Sequence, residues 1–163
     1  MLTSSTLRFI GIELLVVKSA DSSSVHHSGN FGPDKAIDNN IETTFHSAIH
    51  PTEEVNPWLQ IELENVSTVH QVIVHNRKIE GSRMKNVAVR VGLSKFTKGM
   101  EVKNDEICAT YQGPGRDGEK IIINCLKAMK GQYVSIHMME NRPAVLNLNE
   151  IMIYSNIGKW LCC

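Results

Sequence analysis

Two sets of side chains in this sequence have the types and spacing to do chemistry. The first is His50 with Arg77 and Arg83, the arginines lying at either end of the loop segment Asn76–Arg83. Arg77 falls just after one strand-like run and Arg83 just before the next, so both guanidinium groups crowd one loop end. Guanidinium forks and an imidazole hydrogen-bond neighbouring hydroxyls without requiring an anionic ligand. The same residues also read as a solvated basic turn balanced by Glu80, and spacing alone favours that plainer reading. The second set is Asp38, Asn40, Ser47 and, far downstream, Glu150. Loops rich in such oxygens suit Ca2+, which takes about six to eight oxygen ligands. Asp and Asn are also ordinary turn formers, and on sequence alone the turn reading is again the stronger. Catalysis finds less support. Seven histidines are present, but no Gly-x-Ser-x-Gly elbow, His-Glu-x-x-His helix or phosphate loop accompanies them.

Strands must position these groups. Trp58–Glu64 alternates apolar and polar residues, the period of a strand with one buried face. Val69–His75 holds Val72, Ile73 and Val74 in a row, which predicts a strand covered on both faces. Val87–Gly92, Tyr133–Met138 and Ile151–Tyr154 alternate again, Ile121–Ile123 is a further short run, and Leu14–Val17 reads as the first buried strand. Turn signals such as Gly32-Pro33, Asn56-Pro57, Gly113-Pro114-Gly115 and Asp117-Gly118 separate them. Many short strands between turns, with no amphipathic helix, predict an all-β sandwich or jelly roll. The stretch from Lys18 to Asn56 is mostly Ser, Asn, His, Asp and Gly, with Phe31, Ile37 and Phe45 as anchors. It is expected to fold over one end of the sandwich, where binding sites tend to sit.

The 163 residues suffice for one domain. Lys and Arg number 17 and Asp and Glu 17, a formal charge of zero that disfavours nucleic-acid binding. No apolar run approaches the roughly 20 residues needed to span a bilayer. The run Phe9–Val17 behind Arg8 has something of a secretory signal, although Glu13 interrupts it. Cys108 and Cys125 flank an expected hairpin, and their placement suits a disulfide worth about 3 kcal/mol on a chain-entropy estimate. Two buried free thiols are the alternative. Asn65-Val66-Ser67 is an N-glycosylation sequon, consistent with secretion. Cys162-Cys163 could cross-link subunits or end an unstructured tail, and no Cys-x-x-Cys spacing suggests a metal site.

The segments Ala36–Asn40, Asn56–Leu63, His75–Arg77 and Leu148–Ile151 resemble the F-type lectins, or fucolectins, and the resemblance runs from about Leu14 to Tyr154, nearly the whole chain. The family pattern of a His, an Arg at a set distance and a second basic residue is matched by His50, Arg77 and Arg83. The resemblance implies a discoidin-like jelly-roll β-sandwich with a long loop region at one end that binds L-fucose. On that reading residues 14–155 form the lectin domain, 1–13 an N-terminal extension or first strand, and 156–163 a C-terminal tail. His50, Arg77 and Arg83 would hydrogen-bond the sugar, with His27 as a further contact. Phe45, with His46 beside it, would pack on its apolar side. Calcium positions map onto Lys35, Asp38, Asn40, Ser47, Asn149 and Glu150, several through backbone carbonyls.

The chain also departs from that family. Between its arginines, Lys78–Ser82 lacks the adjacent cysteines often found there, and a second family disulfide falls on Ala48 and Asn149. Glu80 stands in for the Asp usual after the first Arg. Weaker fucose binding, or a pocket suited to a different decoration, is the expectation. What the resemblance implies is a secreted, calcium-stabilised lectin that is not an enzyme. Its partners would be fucosylated glycans, with no nucleic acid, with membranes met only through glycans, and with homo-oligomers raising avidity. The rival reading is a discoidin-type adhesion or phospholipid-binding module without sugar binding. Such modules use exposed apolar spikes, whereas these loops offer His26, His27, Phe45 and His46.

Overall fold

The computed structural model describes residues 8–27, 29–49, 51–96 and 105–160. His50, Cys162 and Cys163 lie outside the described residues. In chain order the strands are β1 (Arg8–Leu14), β2 (Val17–Ser22), β3 (Phe45–His46), β4 (Glu54–Val55), β5 (Trp58–His75) and β6 (Val87–Gly92). They continue as β7 (Glu106–Tyr111), β8 (Lys120–Met138), β9 (Pro143–Ala144), β10 (Asn147–Leu148) and β11 (Glu150–Trp160). Single 3-10 turns occur at Pro33–Ala36 and Gly81–Arg83.

Two long strands organise the sandwich. β5 and β8 pair antiparallel, but their register breaks between Glu62 and Ser67 and again between Val69 and Gln71. Strands that bend at such bulges pass from one sheet of a sandwich to the other. The first half of β5 therefore pairs with β2 and the second half of β8, beyond which lie β6 and β7. The second half of β5 pairs with β11 and the first half of β8, and β1 lies outside β11.

Alternation then fills the space between the sheets. Leu59, Ile61 and Leu63 from the first half of β5 share one core cluster with Val72 and Val74 from the second half. Ile121, Ile123, Val134 and Ile136 of β8 and Ile151 and Ile153 of β11 complete it. Each fully buried aliphatic side chain contributes about 1.5–3 kcal/mol. Ile73 is also buried, so the run Val72–Val74 is covered on both faces, as its composition predicts.

Several sequence expectations are corrected. Trp58–Glu64 and Val69–His75 are not separate strands but one, and so are Ile121–Ile123 and Tyr133–Met138. Between the two halves of β5 the exposed Glu64, Asn65 and Val66 form a bulged corner instead of a turn. Leu14–Val17 is not a strand: it spans the break between β1 and β2, and the Leu15 N–H donates across to the Ile153 carbonyl. β11 runs on to Trp160 opposite Arg8, so the polypeptide stays in ladder pairing past position 155. Cys108 and Cys125 do form a disulfide, but not across a hairpin. β7 pairs with β6, so the bridge ties β7 at the edge of one sheet to the first half of β8 at the edge of the other.

Candidate functional site

At the end of β5 a buried asparagine builds the loop that carries both arginines. Asn76 Nδ2 donates to the carbonyls of Gly81 and Arg116, each at 2.9 Å, and its Oδ1 accepts from the Arg77 N–H at 2.9 Å. The Gly81 N–H donates to Asp117 Oδ1 at 2.7 Å. A Cβ on Gly81 would lie 2.5 Å from the Arg116 carbonyl carbon and oxygen, so this close approach admits only glycine. Glu80 takes a left-handed φ of 58° just before it. That turn sets Glu80 between the arginines. Arg83 Nη2 donates to Glu80 Oε1 at 2.7 Å, while Arg77 Nη1 stands 3.4 Å from Oε2. Arg77 is the more enclosed, its side chain 17% exposed, and its buried Nη1 has no hydrogen-bond partner.

The facing wall comes from the long loop. In the two-residue strand β3, Phe45 and His46 point to opposite faces, as successive strand residues must. Phe45 enters the core with no exposed surface, and His46 turns the other way. His46 Nδ1 lies 2.7 Å from the Ser47 carbonyl. A carbonyl only accepts, so Nδ1 carries the proton and neutral His46 keeps Nε2 as an acceptor. Burial lowers the His46 pKa, the charges of Arg77, His26 and Arg83 lower it further, and the bond to Ser47 partly opposes them. The net effect favours the neutral ring. The backbone of the same loop is tied to β3 by His26 N–H to the His46 carbonyl and His46 N–H to the Phe31 carbonyl. The His26, Phe31 and His46 rings meet edge to face at 5.1–5.9 Å.

Between these walls lies a pocket of about 400 Å³ lined by Arg77, Arg83 and Glu80 on one side and His26, Phe31 and His46 on the other. Glu53, Ile49 and Val145 complete the lining, so the pocket offers guanidinium donors, imidazole and carboxylate acceptors and an aromatic surface. Three of the sequence candidates meet here: His46, Arg77 and Arg83. Phe45 does not, because the alternation of β3 sends it into the core, and Phe31 is the aromatic in its place. His27 is exposed and stacks on His26 at 4.3 Å, so His26 takes the pocket position expected of its neighbour. The position of Phe31, just before Gly32-Pro33 in the long loop, was a signal of anchoring but not of direction.

The oxygen-rich set is partly assembled. Thr43 Oγ1 is surrounded by the carbonyl oxygens of Lys35 (3.4 Å) and Asn40 (2.8 Å) and by Asp38 Oδ1 and Oδ2 (2.9 Å each). One hydroxyl proton serves one of these four acceptors, leaving an excess of oxygen lone pairs. The Asn40 N–H bridges Asp38 Oδ1 and Glu150 Oε2 at 3.0 and 3.2 Å, which brings the far ends of the chain together. Burial pushes the Glu150 carboxyl up to about 7, the nearby Asp38 charge adds to this, and backbone amides of Asn40, Ile151 and Asn39 oppose it. The Lys35 ammonium lies 3.1 Å from Asp34 and 3.8 Å from Asp38. Two of the named residues are engaged differently. Ser47 Oγ accepts from the Leu146 N–H, and the Asn149 side chain links Thr44 to the Ile41 carbonyl. Lys35, Asp38, Asn40 and Glu150 are thus brought together with only two carboxylates among them, no cluster of three or more His, Cys, Asp or Glu occurs among the described residues, and Thr43 is a participant the sequence reading missed.

Residues 35–136 match the family model described as NedA-like, galactose-binding domain. Fucolectin-1 of Anguilla japonica is 29% identical over 124 residues, covering 74% of this chain and 66% of its own. Fucolectin of Anguilla anguilla is 28% identical over 136 residues, covering 82% of this chain and 81% of its own. The structure of a serum f-lectin (fucolectin) from striped bass, Morone saxatilis, superposes with a TM-score of 0.71 at 24% identity. That match covers 86% of this chain and 46% of the serum lectin chain, so this chain spans less than half of it. It also spans just under two thirds of Fucolectin-1. The resemblance to fucolectins and the all-β sandwich both stand.

Proposed function

The chain belongs to the NedA-like, galactose-binding domain family, and on that premise we propose that it is a lectin whose pocket binds L-fucose at the end of a glycan. The observation that carries this reading is the buried Nη1 of Arg77, which meets Glu80 as an ion pair at 3.4 Å but makes no hydrogen bond, in a pocket shared with His46, whose Nδ1 donates to Ser47 and leaves Nε2 to accept. A sugar hydroxyl donates and accepts at once, so it satisfies both walls together, while Phe31 offers an aromatic face to the sugar's apolar side. An anionic ligand would find Glu80 between the arginines, which favours a neutral one. Nothing in this arrangement calls for bond chemistry; the proposed role is binding, in a secreted protein. The fucolectin names of the relatives support fucose over other sugars.

Titration with free L-fucose tests the proposal. The parent should bind and Arg77→Ala should bind about ten- to hundred-fold more weakly, the range for losing a charged hydrogen bond. Arg77→Lys should fail as well, because an ammonium does not reproduce the planar fork. Equal affinity in parent and Arg77→Ala would remove the pocket from consideration.

Calcium is the proposed structural ion, held by Asp38 and Glu150 together with the carbonyls of Lys35 and Asn40. It would neutralise two carboxylates and staple the Lys35–Asn40 segment to the start of β11. An ion bound only by the native state raises stability in proportion to the logarithm of its concentration. Calcium should therefore raise the melting temperature of demetallated protein, and Asp38→Asn should remove that response. A melting temperature indifferent to both calcium and chelator would rule the ion out.

A further inference from the structure

The first pocket does not end at Arg83. On the far side of Arg83 and Val145, which line both, a second hollow of about 330 Å³ opens between the start of β6 and the segment carrying β9. Its floor is apolar, formed by Met138, Pro143 and Ala144, and its rim carries Lys85 and Arg142. The charge here is unbalanced. Arg83 is neutralised by Glu80, whereas Lys85 has no ion-pair partner among the described residues. Arg142 is 74% exposed and meets Glu140 only through Nε, at 3.7 Å. Glu140, the one acidic residue lining the hollow, is itself buried and accepts from Asn86 Nδ2 at 2.9 Å. The first pocket is lined by two carboxylates, Glu53 and Glu80, beside its two arginines; the second presents cations outward over an apolar base.

We infer that this hollow is a second subsite of the same glycan site, one that takes a neighbouring sugar bearing an anionic group. The inference rests on the lectin reading of the first pocket. A ring lying on Met138, Pro143 and Ala144 places its substituents toward Lys85 and Arg142. A sulfate or a carboxylate there gains charge-assisted hydrogen bonds that a neutral hydroxyl does not. Val145 stands at the join, so two linked sugars can occupy both hollows without separate entrances.

The test compares four probes by calorimetry: free L-fucose, a neutral fucosyl-galactose disaccharide, the same disaccharide sulfated on galactose, and its galacturonate analogue. The parent should bind one or both anionic disaccharides roughly five-fold tighter than the neutral one, the scale of one or two exposed charge pairs. The advantage should shrink at about 1 M salt, where the screening length falls to about 3 Å. In the double variant Lys85→Gln, Arg142→Gln the advantage should vanish, while free fucose binds as in the parent. Which anion gains tells sulfate from carboxylate. Anionic disaccharides that bind no tighter than the neutral one, or that keep their advantage in the double variant, overturn the subsite. A parent that binds no free fucose overturns the first pocket and the subsite with it.

Discussion

A neutral sugar brings hydroxyls and apolar faces but no charge, so single side chains in the first pocket must divide the work by chemical type. In the proposed lectin site Arg77 and Arg83 would donate, His46 would accept because Ser47 fixes its tautomer, and Phe31 would supply aromatic surface. The neighbouring pair Phe45 and His46 shows how finely this division depends on direction, since one is wholly in the core and the other lines the pocket. Two alanine variants separate the aromatics. Phe31→Ala should lower fucose affinity roughly five-fold, the worth of one aromatic contact, and leave urea unfolding little changed. Phe45→Ala should cost about 3–5 kcal/mol in urea unfolding, as large core truncations do. The reverse pattern would return Phe45 to the site.

At the scale of elements, the loop after β5 is the positioning device. Asn76 saturates three backbone groups of two loops, and Gly81 lets them touch. Neither residue reaches the pocket, yet both arginines hang from what they hold. Gly81→Ala pushes a methyl into the Arg116 backbone, and the loop must move with its arginines. Overpacking of this kind costs about 1–3 kcal/mol, a few degrees in melting temperature for a domain of this size. Fucose affinity should fall in Gly81→Ala while the calcium response stays intact, because Asp38 and Glu150 lie on other elements. A variant that loses stability but keeps its fucose affinity would show the loop to be robust and the glycine merely structural.

Over the whole molecule the two sheets are joined three ways: by the bends of β5 and β8, by the core between them, and by the Cys108–Cys125 bridge at their free edges. Outside the core, His137 of β8 is buried opposite Trp58 and Ala88, with Nδ1 unpartnered. Burial, aided by the Arg90 charge, lowers its pKa from 6.5 to about 4. The folded state thus holds the ring neutral while the unfolded chain takes up a proton, so stability is full above pH 6.5 and declines as pH falls toward 4. The loss over that window is about 3 kcal/mol. His26, His46 and His75 are also shifted downward, so the parent must be compared with His137→Gln. Urea unfolding across the window should show the parent losing about 3 kcal/mol more than the variant; parallel curves would place the acid sensitivity elsewhere.

What could be read from the chain alone was local in origin. Alternation marks a strand whatever it pairs with, so β6, most of β5 and parts of β8 and β11 were legible, as were Arg77 and Arg83 at one loop end. The disulfide partners were legible from their placement as well, although the hairpin expected between them is not what the bridge closes. What was not legible depended on partners distant in sequence. A bulged corner and a turn use the same polar residues, and only the continued pairing of β5 with β8 shows that Glu64–Val66 bends one strand instead of ending it. Pocket and core lie on opposite faces of the short β3, and only its ladder with β10 decides that Phe45 goes in and His46 out. Sequence order likewise says nothing of how Phe31 comes to face Arg77, or how Asn40 comes to donate to Glu150 at the other end of the chain. Those contacts exist because the long loop folds back over the sandwich end, and that closure is a property of the packed tertiary structure.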